Sequence, residues 1–148
     1  MTQTNERITP LSQRSYPTYQ DFEDVCFEKR VWIPSASISN YVMMFTRLYI
    51  GGKTSLGRRS FKDLIITLSE SALVPRVLVF WTNSVKACLE GSPLLDAIHK
   101  IEKTGTRVLV HGYALDKLQL KSKLRAGKLA NNFDLLEAIN KAQKVVTF

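Results

Sequence analysis

The stretch VMMFTRLYIGGKTSLGRRSFKDLIITLSESALVPRVLVFWT, residues 42–82, decides the fold. It opens with VMMFTRLYI, 42–50, a mostly apolar run with β-branched and aromatic members that reads as a buried strand. Gly51, Gly52 and Lys53 make a turn, and Thr54 or Ser55 can cap a helix from about Leu56 to Ser71. Phe61, Leu64, Ile65 and Leu68 recur on one face of that helix. Pro75 closes the unit, and RVLVFWT, 76–82, is a second apolar run. Two continuous apolar strands joined by an amphipathic helix form a crossover unit, whose strands lie parallel and buried on both faces.

The pattern continues to the last residue. Ser92-Pro93 reads as a helix start, Leu94, Ile98 and Ile101 line one side, and Gly105 ends that helix. RVLVH, 107–111, is a third strand. Leu115, Leu118 and Leu124 anchor short helical turns. Asn131 or Asn132 caps a helix through about Ala142 with Leu135, Leu136 and Ile139 inward, and KVVTF, 144–148, is a last strand. The expected architecture is a three-layer α/β/α sandwich with a mainly parallel sheet of four or five strands. Ligands in such folds meet the loops at the carboxyl ends of the strands. Here those loops are 51–57, 82–91 and 111–115.

Residues 1–40 lack this periodicity. Pro10, Pro17 and Pro34 interrupt them, and Trp32-Ile33 is too apolar to leave in water without cost. They read as an arm, with the domain proper over 41–148. The 148 residues contain 21 Lys plus Arg against 13 Asp plus Glu, a net charge of +8. The arm carries 4 basic and 5 acidic residues, whereas 41–148 carry 17 basic and 8 acidic, so the positive excess lies in the domain. The densest run is Lys117, Lys121, Lys123, Arg125 and Lys128. It suits an anionic partner or a solvated face. No aromatic interleaves it, which leaves no stacking platform for single-stranded nucleic acid.

Two cysteines, Cys26 and Cys88, are too few for a disulfide scaffold, and with His99 and His111 they lack metal-ligand spacing. No apolar run approaches a membrane span, and the polar start lacks the apolar core of a secretory signal. A cytoplasmic protein with neither structural metal nor cofactor is the expectation. Gly52-Lys53-Thr54 ends like a phosphate-binding P-loop, but Arg47 stands where the motif's first glycine belongs, which argues against nucleotide hydrolysis. A weaker anion site survives there: amides at a helix start with Lys53 and Arg58. His111 can serve as a proton carrier or polar contact, or as a half-buried histidine held by the backbone. Cys88, near Lys86 and a helix start, is either a reactive thiol or an inert packing residue.

In order along the domain, Leu56-Gly57, LIITL at 64–68, VLVFWTNSVKACLEGSPLL at 77–95 and Ile101-Glu102-Lys103-Thr104-Gly105 form one set of matches. Leu115-Asp116, Leu120, Lys123-Leu124, Gly127, Asn131, Phe133 and the ending AQKVVTF complete it. From about Arg47 to Phe148 this set resembles the DsrE/DsrF-like superfamily, closest to the carboxyl-terminal domain of YedF-type proteins of sulfur and selenium metabolism. The resemblance implies a trimer or hexamer and a persulfide-bearing cysteine at the end of the third strand, working with a sulfur-relay partner. This chain departs there. Where YedF-like sequences read Cys-Gly-Thr-Cys-Leu, it has His111-Gly112-Tyr113-Ala114-Leu115, and neither imidazole nor phenol replaces a thiolate. The leading reading is a non-catalytic binding or scaffold member with a strand-end pocket of Asn83, Lys86, Cys88, His111, Tyr113 and Asn131. The alternatives are a sulfurtransferase using an exposed, low-pKa Cys88, and a basic-face binder of nucleic acid or an acidic protein through Lys117–Lys128.

Overall fold

The computed structural model describes residues 37–148. Cys26, Trp32, Ile33 and the rest of the arm up to residue 36 lie outside the described residues. Five strands, β1 (Ser37–Phe45), β2 (Leu73–Phe80), β3 (Arg107–His111), β4 (Lys128–Ala130) and β5 (Lys144–Thr147), form one sheet in the order β4-β3-β2-β1-β5. Every pairing is parallel. The connecting helices are α1 (Ser55–Glu70), α2 (Leu95–Lys103), α3 (Gly112–Lys117) and α4 (Asn132–Asn140). A 3-10 segment, Thr82–Cys88, follows β2, and a 3-10 turn, Lys121–Lys123, precedes β4.

The period-two geometry of the strands sorts their side chains into two cores. Met43, Phe45, Leu78, Phe80, Val108 and Val110 face α1 and α2, where Phe61, Ile65, Leu68, Ile98 and Ile101 are buried against them. Their sequence neighbours Val42, Met44, Val77, Val79 and Leu109 face the other way and meet Leu135 and Ala138 of α4. Both faces are therefore covered, and the continuous apolar runs follow from that double burial. Among the described residues this is the three-layer α/β/α arrangement expected from the sequence, with five strands and no antiparallel member.

The boundaries differ in instructive ways. β1 begins at Ser37, inside the segment read as arm, and ends at Phe45 rather than Ile50. Its polar first half is held by pairing, Ser37 with Leu73 and Ile38 with Val74, across an irregularity before Val42. Thr46 still bonds beside β5, its N–H donating to Phe148 O, but the chain then turns back, and Ile50 N–H donates to Gly57 O, each at 3.0 Å. β2 likewise starts at Leu73, so Pro75 lies within a strand instead of closing the helical unit. Proline is tolerated there because β3 joins only from Val77, paired with Arg107, so Pro75 has a neighbour on one side.

α2 starts at Leu95, not at Ser92-Pro93; Ser92 instead shapes the preceding turn, its hydroxyl accepting from Leu94 N–H at 3.2 Å. In α4, Leu135 and Ala138 are buried while Leu136 is exposed, since two consecutive residues 100° apart cannot both face the sheet. β4 has three residues, too short a run to announce itself by periodicity.

Candidate functional site

The strand register brings the site together. Phe80 pairs with Val110, so the next residues, Trp81 and His111, emerge side by side above the sheet. Their ring centroids are 5.4 Å apart, and the Tyr113 ring lies 6.0 Å from that of His111. His111 is only 5% exposed. Its Nε2 lies 2.8 Å from Asn132 Oδ1, at the start of α4. With that amide oxygen as acceptor, Nε2 is the donor of this bond. Nδ1 is buried and has no partner among the described residues. An unsatisfied buried polar atom costs about 1–3 kcal/mol.

A cavity of about 430 Å³ opens beside this ring, lined in part by Trp81, Thr82, Asn83, Tyr113 and Asn132. Thr82 sits at φ +52°. That left-handed conformation is unusual for a β-branched residue and stores about 1–3 kcal/mol of strain. It is held there by its hydroxyl, which donates to Thr46 O at 2.6 Å. The strained residue thus ties the end of β1 to the wall of the His111 cavity.

The predicted pocket does not form as one set. Asn83, His111 and Tyr113 share the cavity just described. Asn131 joins His111 and Tyr113 in a neighbouring hollow of about 560 Å³, with Phe133. Asn131 also caps α4: its side chain accepts from Asp134 N–H at 2.9 Å and Asp134 returns the bond to Asn131 N–H at 2.8 Å. That capping box is worth about 1 kcal/mol to the helix. Lys86 turns to a separate cleft with Lys53 and Arg58.

Cys88 stands apart from all of these. It is 0% exposed, in the core beneath the segment whose Arg125 and Ala126 amides donate to its carbonyl at 3.0 and 3.2 Å. Burial, and then the nearby Glu102 charge, push its thiol pKa well up. The exposed thiol of lowered pKa required by the sulfurtransferase reading is not what the structure contains. The cause is tertiary: the 3-10 segment turns Cys88 inward with Val85 and Ala87, away from Lys86.

The basic run is partly neutralised. Lys121 pairs with Asp116 at 3.4 Å and Arg125 with Glu90 at 3.3 Å, while Lys117 lies over the Tyr113 ring at 5.5 Å. Among the described residues no group of three or more His, Cys, Asp or Glu side chains could hold a metal ion, and no helix is long and apolar enough to cross a membrane. Sequence reasoning missed Trp81, Thr82 and Asn132. Trp81 carried a usable signal, a large amphipathic ring at the end of a buried strand; Asn132 did not, because only the β3–β4 pairing brings it near His111.

No protein-family model matches the chain, and no curated protein does. Among solved structures the ychN protein from E. coli is similar, with a TM-score of 0.54 and 16% identity over 74% of this chain and 99% of that one. At that identity the likeness carries the fold alone, and the fold it supports is the DsrE-like one: a five-stranded parallel sheet between helical layers.

Proposed function

We propose that the chain is a ligand-binding protein of DsrE-like fold that does not carry persulfide sulfur. The observation behind this reading is His111. It fills the strand-end position where the resemblance implies a cysteine, and it is buried and fixed by Asn132 beside a largely apolar cavity. Its ligand is a small molecule with a flat or apolar body, which packs on Trp81 and Tyr113 in the cavity beside His111. Service in a sulfur- or selenium-linked pathway rests on the sequence resemblance.

The test is persulfide loading. A Cys26→Ser protein, in which Cys88 is the remaining thiol, is incubated with a persulfide donor and its intact mass measured. We expect no reducible gain of a sulfur atom, and alkylation of Cys88 only after denaturation, because a buried thiol of raised pKa supplies little thiolate. A gain lost in Cys26→Ser/Cys88→Ser would overturn the proposal.

We also propose assembly into a homo-oligomer, a trimer or hexamer. Phe133 is 82% and Leu136 55% exposed on the outer side of α4, and Leu129 is exposed on the adjoining edge strand. Apolar surface of this kind stabilises an interface when two copies cover it. Light scattering on the full chain should give a trimeric or hexameric mass that falls in Phe133→Glu/Leu136→Glu; a monomeric wild type rejects the idea.

A further inference from the structure

At the ends of β1 and β2 a separate cleft of about 350 Å³ is lined by Arg47, Lys53, Arg58, Asn83 and Lys86, with Leu48 and Tyr49. Four cations converge there from three segments: the loop after β1, the first turn of α1 and the 3-10 segment after β2. The lining contains no acidic residue, and none of the four cations makes an ion pair with a described carboxylate. Like charges lining one cleft repel, and an anion held among them offsets that repulsion.

The helix beside the cleft points the same way. α1 has no acidic residue in its first turn and no basic residue in its last, and it places Arg58 and Arg59 at its amino end. The macrodipole favours the opposite distribution, so each base there is held against the helix field. Arg59 is offset by Asp63 at 3.5 Å; Arg58 has no such partner among the described residues and faces the cleft.

We propose that this cleft is a binding site for a multiply charged phosphoryl group, with Arg47, Lys53, Arg58 and Lys86 as its cationic contacts and Asn83 as a neutral donor. Four cations match a ligand of more than one negative charge, and guanidinium groups suit phosphoryl oxygens through paired hydrogen bonds. Asn83 lines both this cleft and the His111 cavity, whereas the four cations line this cleft and not that one.

The experiment is calorimetric titration of the full chain with pyrophosphate at low ionic strength, with chloride matched throughout. Wild type should bind saturably. Lys53→Gln/Arg58→Gln and, from another segment, Lys86→Gln should each weaken binding, the double variant at least tenfold, with melting temperatures near wild type because all three side chains are exposed. Lys123→Gln/Lys128→Gln, which removes the same charge elsewhere, should change binding less than twofold. Equal weakening by both double variants means general charge attraction, and that result, or a wild type without saturable binding, overturns the site.

Discussion

Gly57→Ala destabilises the domain by about 3 kcal/mol, against the direction that helix propensity alone dictates. Gly57 lies in the first turn of α1, where alanine would ordinarily gain about 1 kcal/mol over glycine. Here a β-carbon would stand 2.1 Å from Gly52 O and 2.7 Å from Ile50 O. Both are backbone atoms of the loop that folds over the helix start, and Gly57 O accepts from Ile50 N–H in return. No side chain can rotate away to relieve the overlap, so the loop moves or the helix frays. Gly112→Ala is the matched control: its new carbon would meet Ala130 O at 3.5 Å and Leu129 at 3.8 Å, ordinary contacts. Urea denaturation of both should show a large loss for Gly57→Ala and a change within about 0.5 kcal/mol for Gly112→Ala. A Gly57→Ala protein as stable as wild type would show that the loop does not pack on α1 in this way. The same substitution shifts Lys53 and Arg58, so it should also weaken pyrophosphate binding.

Phe45→Ala should cost about 3–5 kcal/mol. Phe45 is fully buried at the end of β1 and is the hub of an aromatic cluster. It meets Phe61 edge-on at 5.1 Å and stacks with Phe80 at 5.9 Å and Phe148 at 5.2 Å. One side chain thus joins α1, β2 and the residue after β5, so truncation leaves a cavity bounded by rigid rings that cannot collapse into it. Its carbonyl holds the next layer, accepting from Trp81 N–H at 2.8 Å and Ser84 Oγ–H at 2.6 Å. Disturbance at Phe45 therefore reaches the wall of the His111 cavity through Trp81. Phe133→Ala removes a ring of the same size from the surface and should leave the unfolding energy of the isolated subunit within about 0.5 kcal/mol. Guanidinium unfolding with unchanged m-values separates the two cases. A loss at Phe45 of less than about 1.5 kcal/mol would mean that the aromatic cluster does not anchor the sheet.

The architecture was legible in the sequence because burial on both faces leaves a direct trace. Strand segments such as VLVF, 77–80, and VLV, 108–110, must be apolar throughout, and the helices between them must carry a stripe such as Phe61, Ile65 and Leu68. Chain reversal points were equally plain where geometry demands a residue type, as at Thr54 and Asn131, which cap α1 and α4 as their side chains suggested. That no cysteine stands at the end of β3 is read from the sequence and needs no coordinates: His111 and Ala114 stand there.

What the sequence left open is what long-range pairing decides. Whether Ile50 belongs to a strand depends on where its amide finds a carbonyl, and that carbonyl, Gly57 O, is seven residues away. Whether Cys88 is a nucleophile depends on which way a 3-10 segment turns, and it turns inward, into a core that opposes the thiolate. The six residues of the expected pocket were all near strand ends, but proximity in the chain does not set side-chain direction. The register of β2 against β3 put Trp81 beside His111, and that of β3 against β4 supplied Asn132. The separation of Lys86 from His111, and its meeting with Lys53 and Arg58, followed from the same packing. Local chemistry determines which elements form; the shared burial of distant elements decides which side chains meet.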